Sequence, residues 1–404
     1  MPRRGLRPVP RLAAHPALTR GAQAGDGGEG HLLRPPPYCP SPERALMTVT
    51  SLSAGVRARW HRTIASLPEN RPAVTPFHTR QWAAAWQSPQ VESALAHRHL
   101  LLTDGQHSHR LSYQLSDTSP LWKALESDTH RRTPVFSGPV AYAPSLYSQY
   151  GGLPGASALV LAEAVDRGRQ LAQECDAQAL LMPNLPPAEL AQWTRIRPPD
   201  AQVRLFYAHR TPVGAGLAEF TARIPSSQAR EEFQRQHRRG TAAGLRLRAV
   251  TAAALPPVLP AVHTLHQDEA RRQGRPALYN LAMLTALPRI PGALALLAEE
   301  TDGTLAGAFL GFRHGTTLYL WAEAVAHGRR GDHTLGWLLA ESIRHAAATG
   351  ARVLDAGRGH CQFKRRMGLT PVPLTTAVYL TAPHPRVISS LRELDTALDA
   401  IGRP

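Results

Sequence analysis

A chain of 404 residues, 43% of them hydrophobic, is long enough to bury two cores of ordinary size. It has no run approaching the ~18–20 uncharged apolar residues of a membrane helix, and three scattered cysteines, Cys39, Cys175 and Cys361, exclude a disulfide scaffold and a cysteine-built zinc site. The sparse thiols suit a reducing, cytoplasmic setting, and the net charge of +16 suits either an anionic partner or a solvated basic surface.

The charge is unevenly spread: +4 over residues 1–46, +4 over 47–215, +9 over 216–386 and −1 over the remainder. An anionic ligand, such as a coenzyme A diphosphate or a tRNA backbone, is therefore expected in the third segment. Only Lys123 and Lys364 among the 46 basic residues are lysine.

In chain order, residues 1–46 carry Arg, Pro and Gly without hydrophobic period and read as a disordered extension, with Met47 a plausible alternative start. Trp60, Ile64 and Leu67 fall at helical spacing, and a second helix opens near Thr79 with Trp82, Ala85 and Trp86 on one face. His99–Thr103 and Leu111–Leu115 form a strand pair about the turn at Asp104-Gly105-Gln106. A helix over Ala158–Cys175, a strand over Ala179–Pro183 and a short helix over Pro187–Trp193 follow the Tyr147–Gly152 stretch. The second half repeats this rhythm: a basic helix over Ser226–Gly244, a strand over Leu245–Val250 and a helix over Leu255–Gln273. A hairpin then joins Ala293–Glu299 to Leu305–Phe312, with a further strand over Thr317–Ala326. A helix over Thr334–Thr349 ends at Gly350; strands Val353–Ala356 and Ala377–Leu380 and a helix over Val387–Ile401 complete the chain. This order predicts a mixed α/β (α+β) sheet in two similar domains, 47–215 and 216–386, with 387–404 as a C-terminal helix.

The densest chemical signal runs from Leu354 to Pro371: a buried strand, the glycine-bracketed turn Gly357-Arg358-Gly359, then a short helix presenting Lys364, Arg365 and Arg366. Glycines allow close approach of backbone to ligand, and N–H groups at a helix start favour anions. Lys364 supplies a compact ammonium that could stabilise a tetrahedral oxyanion; the competing reading is a basic helix capping the sheet.

This segment, with the helix Leu335–Thr349 before it, resembles the C-terminal half of Fem-like and BioF-like acyltransferases of the GNAT superfamily. Gln362-Phe363-Lys364-Arg365-Arg366-Met367-Gly368 is similar to the family's Phe-Lys and Met-Gly pattern, and the Arg-rich helix Gln228–Gly240 to the one that opens its C-terminal domain. Tyr279 resembles an aromatic before the next helix, and Pro76–Trp82 an opening motif of the N-terminal domain. The resemblance implies two tandem GNAT-like domains and transfer of an acyl group from acyl-CoA or aminoacyl-tRNA to an amine, with no permanently bound cofactor. It places Lys364 beside the reacting carbonyl with Phe363 packed next to it, and Arg238 and Arg239 toward the donor's phosphates or the acceptor. Arg358, Arg365, Arg329, Arg330 and Tyr279 are expected to contact donor or substrate. The stretch His327–Gly336 departs from the usual pyrophosphate loop in spacing and carries Asp332, which moves weight toward a tRNA-borne or other donor without excluding coenzyme A.

A general base must take the amine's proton. Glu323, on the strand Tyr319–Glu323, is the first candidate, with burial expected to raise its pKa. His266, Asp268 and Glu269, on one helix near the acceptor side, are alternatives, and Cys361 reads as a packing residue. The acceptor is expected to be a small-molecule or peptidoglycan-precursor amine. A catalytically inert GNAT-like module that binds RNA or another anionic partner is the alternative reading.

Overall fold

In a computed structural model, the structure describes residues 55–67, 73–87, 94–117, 119–272, 274, 277–326 and 333–401. The expected extension over 1–46 and Met47 lie outside them, as do Arg329 and Arg330.

The strands and helices of the first half are β1 (Arg57–His61), α1 (Arg80–Ala85), β2 (Ala94–Thr103), β3 (Ser108–Ser116), α2 (Pro120–Asp128), β4 (Val140–Tyr142), α3 (Ala158–Glu174), β5 (Ala179–Leu185), α4 (Pro187–Ile196) and β6 (Ala201–Pro212). Those of the second are α5 (Leu217–Ala222), α6 (Ser227–Ala242), β7 (Arg246–Thr251), α7 (Leu259–Arg272), α8 (Leu281–Ala286), β8 (Ala293–Glu299), β9 (Leu305–His314), β10 (Thr317–Val325), α9 (Thr334–Ala348), β11 (Val353–Asp355), α10 (Cys361–Arg366), β12 (Thr370–Leu380) and α11 (Pro385–Ala400).

The described strands join in one sheet ordered β1-β2-β3-β4-β5-β12-β6-β11-β10-β9-β8-β7. The order reads as two copies of one pattern. In each, four antiparallel strands end beside a parallel one, β5 along β4 in the first half and β11 along β10 in the second. The halves then exchange strands: β12 enters beside β5, β6 lies beside β11, and β6 and β12 pair with each other. A mixed α/β fold is what the alternating order predicted.

One face carries a continuous core under α1, α2, α7, α8 and α11, including Trp82, Leu125, Leu205, Val262, Trp321 and Leu391. The opposite face is covered by α3 and α4 in the first half and by α5, α6 and α9 in the second. Close contact of α6 with α9 is what their glycines permit: a Cβ on Gly240 would meet the Trp337 ring at 2.5 Å.

Three sequence expectations change. The helix expected through Trp60, Ile64 and Leu67 is a strand, β1, followed by a single 3-10 turn at Ile64–Ser66. Buried Val56 and Ala58 alternate with exposed Arg57, a period of two that strand pairing with β2 satisfies. The last strand begins at Thr370, not Ala377; over Thr370–Leu374 it pairs with β6 alone, which tolerates Pro371 and Pro373. The central strand β6 was not expected, because Arg204, His209 and Arg210 interrupt its apolar pattern.

Candidate functional site: a fork between two parallel strands

The pairing of β10 with β11 is short, from Thr317 opposite Val353 to Tyr319 opposite Asp355. Beyond it β10 stays with β9 and bulges between Leu320 and Ala322, while the chain after Asp355 stays with β6, through the Ala356 N–H to His209 O bond of 2.8 Å. The two paths diverge into a fork. The bulge makes Trp321 the extra residue and turns its ring into the gap. Gly357 sits at the crotch with φ +72°, and a Cβ there would lie 2.2 Å from the Leu320 carbonyl oxygen, so no other residue fits.

A cleft of about 490 Å³ opens from the fork, bounded by β10, α7, α2 and the loop Arg358–His360, and reaching Leu335 in the first turn of α9. Glu323 and His360 meet across it, the imidazole Nε2 against the Glu323 carboxylate. His360 is held at φ +46°, ψ +40°, a left-handed conformation that is uncommon for a residue bearing a Cβ and clusters at functional sites. Both groups are open to solvent in part, with side-chain exposures of 52% for His360 and 23% for Glu323. The Glu323 charge and its hydrogen bond raise the His360 pKa above the ordinary imidazole value, against burial. Burial pushes Glu323 upward, but His360 and Lys364 outweigh it and hold the carboxyl below its ordinary range. The expectation of a raised Glu323 pKa is thus corrected: the carboxylate has an imidazole partner the sequence did not reveal.

Of the other expected site residues, Tyr279 and Arg358 border the cleft. Burial pushes the Tyr279 phenol up to about 12, with Arg358 opposing. Its ring centroid lies 4.8 Å from both Trp321 and His266. His266 and Glu269 of α7 also line the cleft; Asp268 does not, and pairs with Arg271 in solvent. Arg358 donates to the carbonyls of Leu146 (2.8 Å) and Tyr147 (3.4 Å), and its guanidinium lies 4.4 Å over the Phe206 ring.

Lys364 is buried, 4% exposed, and does not line the cleft. Its Nζ donates to the Arg358 carbonyl at 2.9 Å, which ties α10 to the loop that carries His360. Burial pushes its pKa down, opposed by Glu323, Cys361 and Asp355. Phe363 is not in the cleft and packs against the core between α5, α6 and α9. Arg365 is exposed, 4.6 Å over the Tyr207 ring. Arg238 and Arg239 are exposed on α6, on the sheet face opposite the cleft, because α6 turns Ala229, Phe233 and Gly240 inward. The structure does not bring these five to the cleft lining.

Sequence reasoning missed what the first half contributes. Asn184 of β5 donates to the carbonyls of Leu146 (3.0 Å) and Ser148 (2.6 Å), so the loop after β4 is folded into the first half's own β4/β5 junction. From there the loop reaches the second half. Tyr147 lines the cleft, donates its hydroxyl to Leu278 O (2.7 Å) and accepts at its carbonyl from Trp321 Nε1 (3.1 Å). Gln149 Nε2 (2.6 Å) and the Tyr150 hydroxyl (2.5 Å) donate to the fully buried Asp355 carboxylate, which also accepts from Arg210 Nε (2.8 Å) and Gly357 N–H (3.1 Å). The one sequence signal was the aromatic and polar stretch Tyr147–Tyr150 itself.

Residues 227–365 match a family model described as an acetyltransferase (GNAT) domain. Among solved structures the chain is similar to FemX, at 10% identity and a TM-score of 0.52 over 82% of this chain and 96% of that one, which is a likeness of fold. It is also similar to L-PGS from Bacillus licheniformis, at 8% identity and a TM-score of 0.49 over 70% of this chain and 85% of that one. The C-terminal domain of a putative lysylphosphatidylglycerol synthetase from Agrobacterium fabrum gives 11% identity and a TM-score of 0.47, over 71% of this chain and 85% of that one. No curated protein matches the sequence.

Proposed function

We propose that this chain, which carries a GNAT-superfamily acetyltransferase domain, is an N-acyltransferase that works in the β10/β11 fork. The observation that carries the reading is the His360–Glu323 pair, set across an open, aromatic-walled cleft. A primary amine arriving there is an ammonium at neutral pH and must lose a proton before it can attack. His360, oriented by Glu323, takes that proton. The amine nitrogen then attacks the donor carbonyl and forms a C–N bond. Collapse breaks the carbonyl's bond to sulfur, for an acyl-CoA, or to oxygen, for an aminoacyl ester of tRNA; His360 returns the proton to the leaving group, and the nitrogen releases its second proton to water to leave a neutral amide. Glu323, held ionised by its partner, stabilises the imidazolium in between.

Donor phosphates would approach from the first turn of α9, where Leu335 borders the cleft and the helix dipole favours anions. Lys364 acts in this reading as a positioning residue: its bond to the Arg358 carbonyl fixes the loop from which His360 projects. Arg358 fixes the same loop from the other side through Leu146 and Tyr147. We read the two copies of the strand pattern as domains 47–215 and 216–386, with only the second keeping an open fork.

The test is incubation of the full chain with radiolabelled acetyl-CoA, longer acyl-CoAs and aminoacyl-tRNAs, each with a mixture of primary amines, in wild type and Glu323→Gln. Label transferred to amine by wild type and at least about tenfold more slowly by Glu323→Gln is expected, since a positioned acid–base group is worth about 10²–10⁴-fold and the variant keeps the base but loses the charge that orients it. The donor that supplies label identifies its class. Retention of RNA without transfer from any donor would favour the inert binding module instead.

A further inference from the structure

The lining of the cleft carries information about the acceptor. Around Glu323 and His360 stand the rings of Trp321, Tyr279 and Tyr147 and the carboxylate of Glu269. The wall that α2 contributes is mainly of another kind: Leu121, Ala124 and Leu125 face the cavity, with Asp128 at the helix's last turn. Both described arginines at its border are engaged, Arg358 with the carbonyls of Leu146 and Tyr147, and Arg272 with Glu269 at 2.8 Å. Aromatic faces favour a cation, while the three apolar side chains of α2 offer no partner to a sugar or peptide hydroxyl, whose burial unpaired is costly.

We propose that the acceptor is a primary amine on an apolar aliphatic or aromatic body, with its nitrogen at His360 and its body against the α2 wall, and that Ala124 gauges the body's size. The proposal rests on reading the fork as the acyl-transfer site. It assigns the first half a role in recognition, since α2 belongs to it. Ala124 is the smallest side chain of that wall and is half-buried, so a larger residue there fills the space the body would take. It replaces the peptidoglycan-precursor amine with a smaller and less polar one.

The experiment measures equilibrium binding to the full chain in the absence of any donor, by calorimetry and by competition. The probes are phenethylamine, hexylamine, propylamine and glucosamine. Hexylamine and phenethylamine should bind at least about tenfold more tightly than propylamine and glucosamine, since each buried methylene is worth roughly fourfold. Ala124→Phe should weaken phenethylamine about tenfold or more and leave propylamine within about twofold, the range that pocket filling gives. Should Ala124→Phe fail to fold, as judged by its urea transition, Ala124→Leu makes the same comparison with hexylamine. Glucosamine binding as tightly as phenethylamine overturns the proposal, and so does unchanged phenethylamine affinity in a folded variant. The two readings fail separately. Apolar amines that bind but are acylated from no donor sink the transfer reading and leave the pocket chemistry standing; preferential acylation of glucosamine does the reverse.

Discussion

Asp355→Asn is the most informative substitution in the core, because one side chain there joins three others and a backbone N–H. Each carboxylate oxygen accepts two bonds: Oδ1 from Gln149 and Gly357 N–H, Oδ2 from Tyr150 and Arg210. An amide has one acceptor oxygen and turns an NH₂ toward whichever pair faces it. If the NH₂ takes the Oδ2 side, the Tyr150 hydroxyl can rotate to accept from it, but Arg210 loses its ionic partner. On the other side, the Gln149 amide and the Gly357 N–H are left facing a donor. A lost charge-assisted bond is worth about 1.5–3 kcal/mol. Arg210 is 39% exposed and can recover part of this from water, so the lower half of that range, about 2 kcal/mol, is expected. Urea unfolding followed by tryptophan fluorescence measures it, with the slope m unchanged. A double-mutant cycle with Tyr150→Phe should show coupling above about 0.5 kcal/mol. A loss under about 0.5 kcal/mol for Asp355→Asn would refute the claim that this carboxylate binds the first half's loop to the fork.

Gly357→Ala forces φ +72° on an L-residue and a Cβ against the Leu320 carbonyl, so a loss of at least about 2 kcal/mol and of activity is expected, read by thermal unfolding. Lys364→Met keeps the buried stem but not the ammonium that holds Arg358 O; turnover should fall at least about tenfold, typical of a misplaced catalytic group, while the urea midpoint changes little beside Lys364→Ala. An unchanged turnover would remove its positioning role. His99 and His209 are fully buried, and burial, with neighbouring cations, holds both pKa values at about 4. Their unfolded forms bind protons first, so stability is complete above the ordinary pKa of 6.5 and falls as pH drops from there toward 4, by about 1.4 kcal/mol per pH unit for each. Urea midpoints at pH 7.5 and 5.5 measure the fall, and equal midpoints would contradict it.

Much of the architecture was legible because it is local. The hairpin of β8 and β9, helix α9 with its glycine stop and the Gly357–Gly368 segment each carry their signals within a few residues. What could not be read was set by distant partners. β6 looks like a polar stretch in isolation and becomes a central strand because β11 and β12 pair with it from both sides. β1 holds too few residues to separate a period of two from one of 3.6 until β2 lies beside it. Glu323 was singled out from its place on a strand, but the direction of its pKa depended on His360, one histidine among 19. Lys364 stood out by its rarity, and the structure gives a reason for a lysine there: a slim stem brings one compact ammonium to a single carbonyl in a buried position.

The most direct measurement is the pH dependence of kcat/KM for amide formation, in wild type and Glu323→Gln, with whichever labelled donor proves active. His360 must be neutral to accept the proton, and Glu323 raises its pKa, so the wild-type rate should climb with pH through a midpoint above the ordinary imidazole value of 6.5. Removing the Glu323 charge should move that midpoint to lower pH and reduce the plateau. A midpoint that stays in place in the variant, or a rate that does not depend on pH in this range, would contradict the assignment of the His360–Glu323 pair as the proton acceptor.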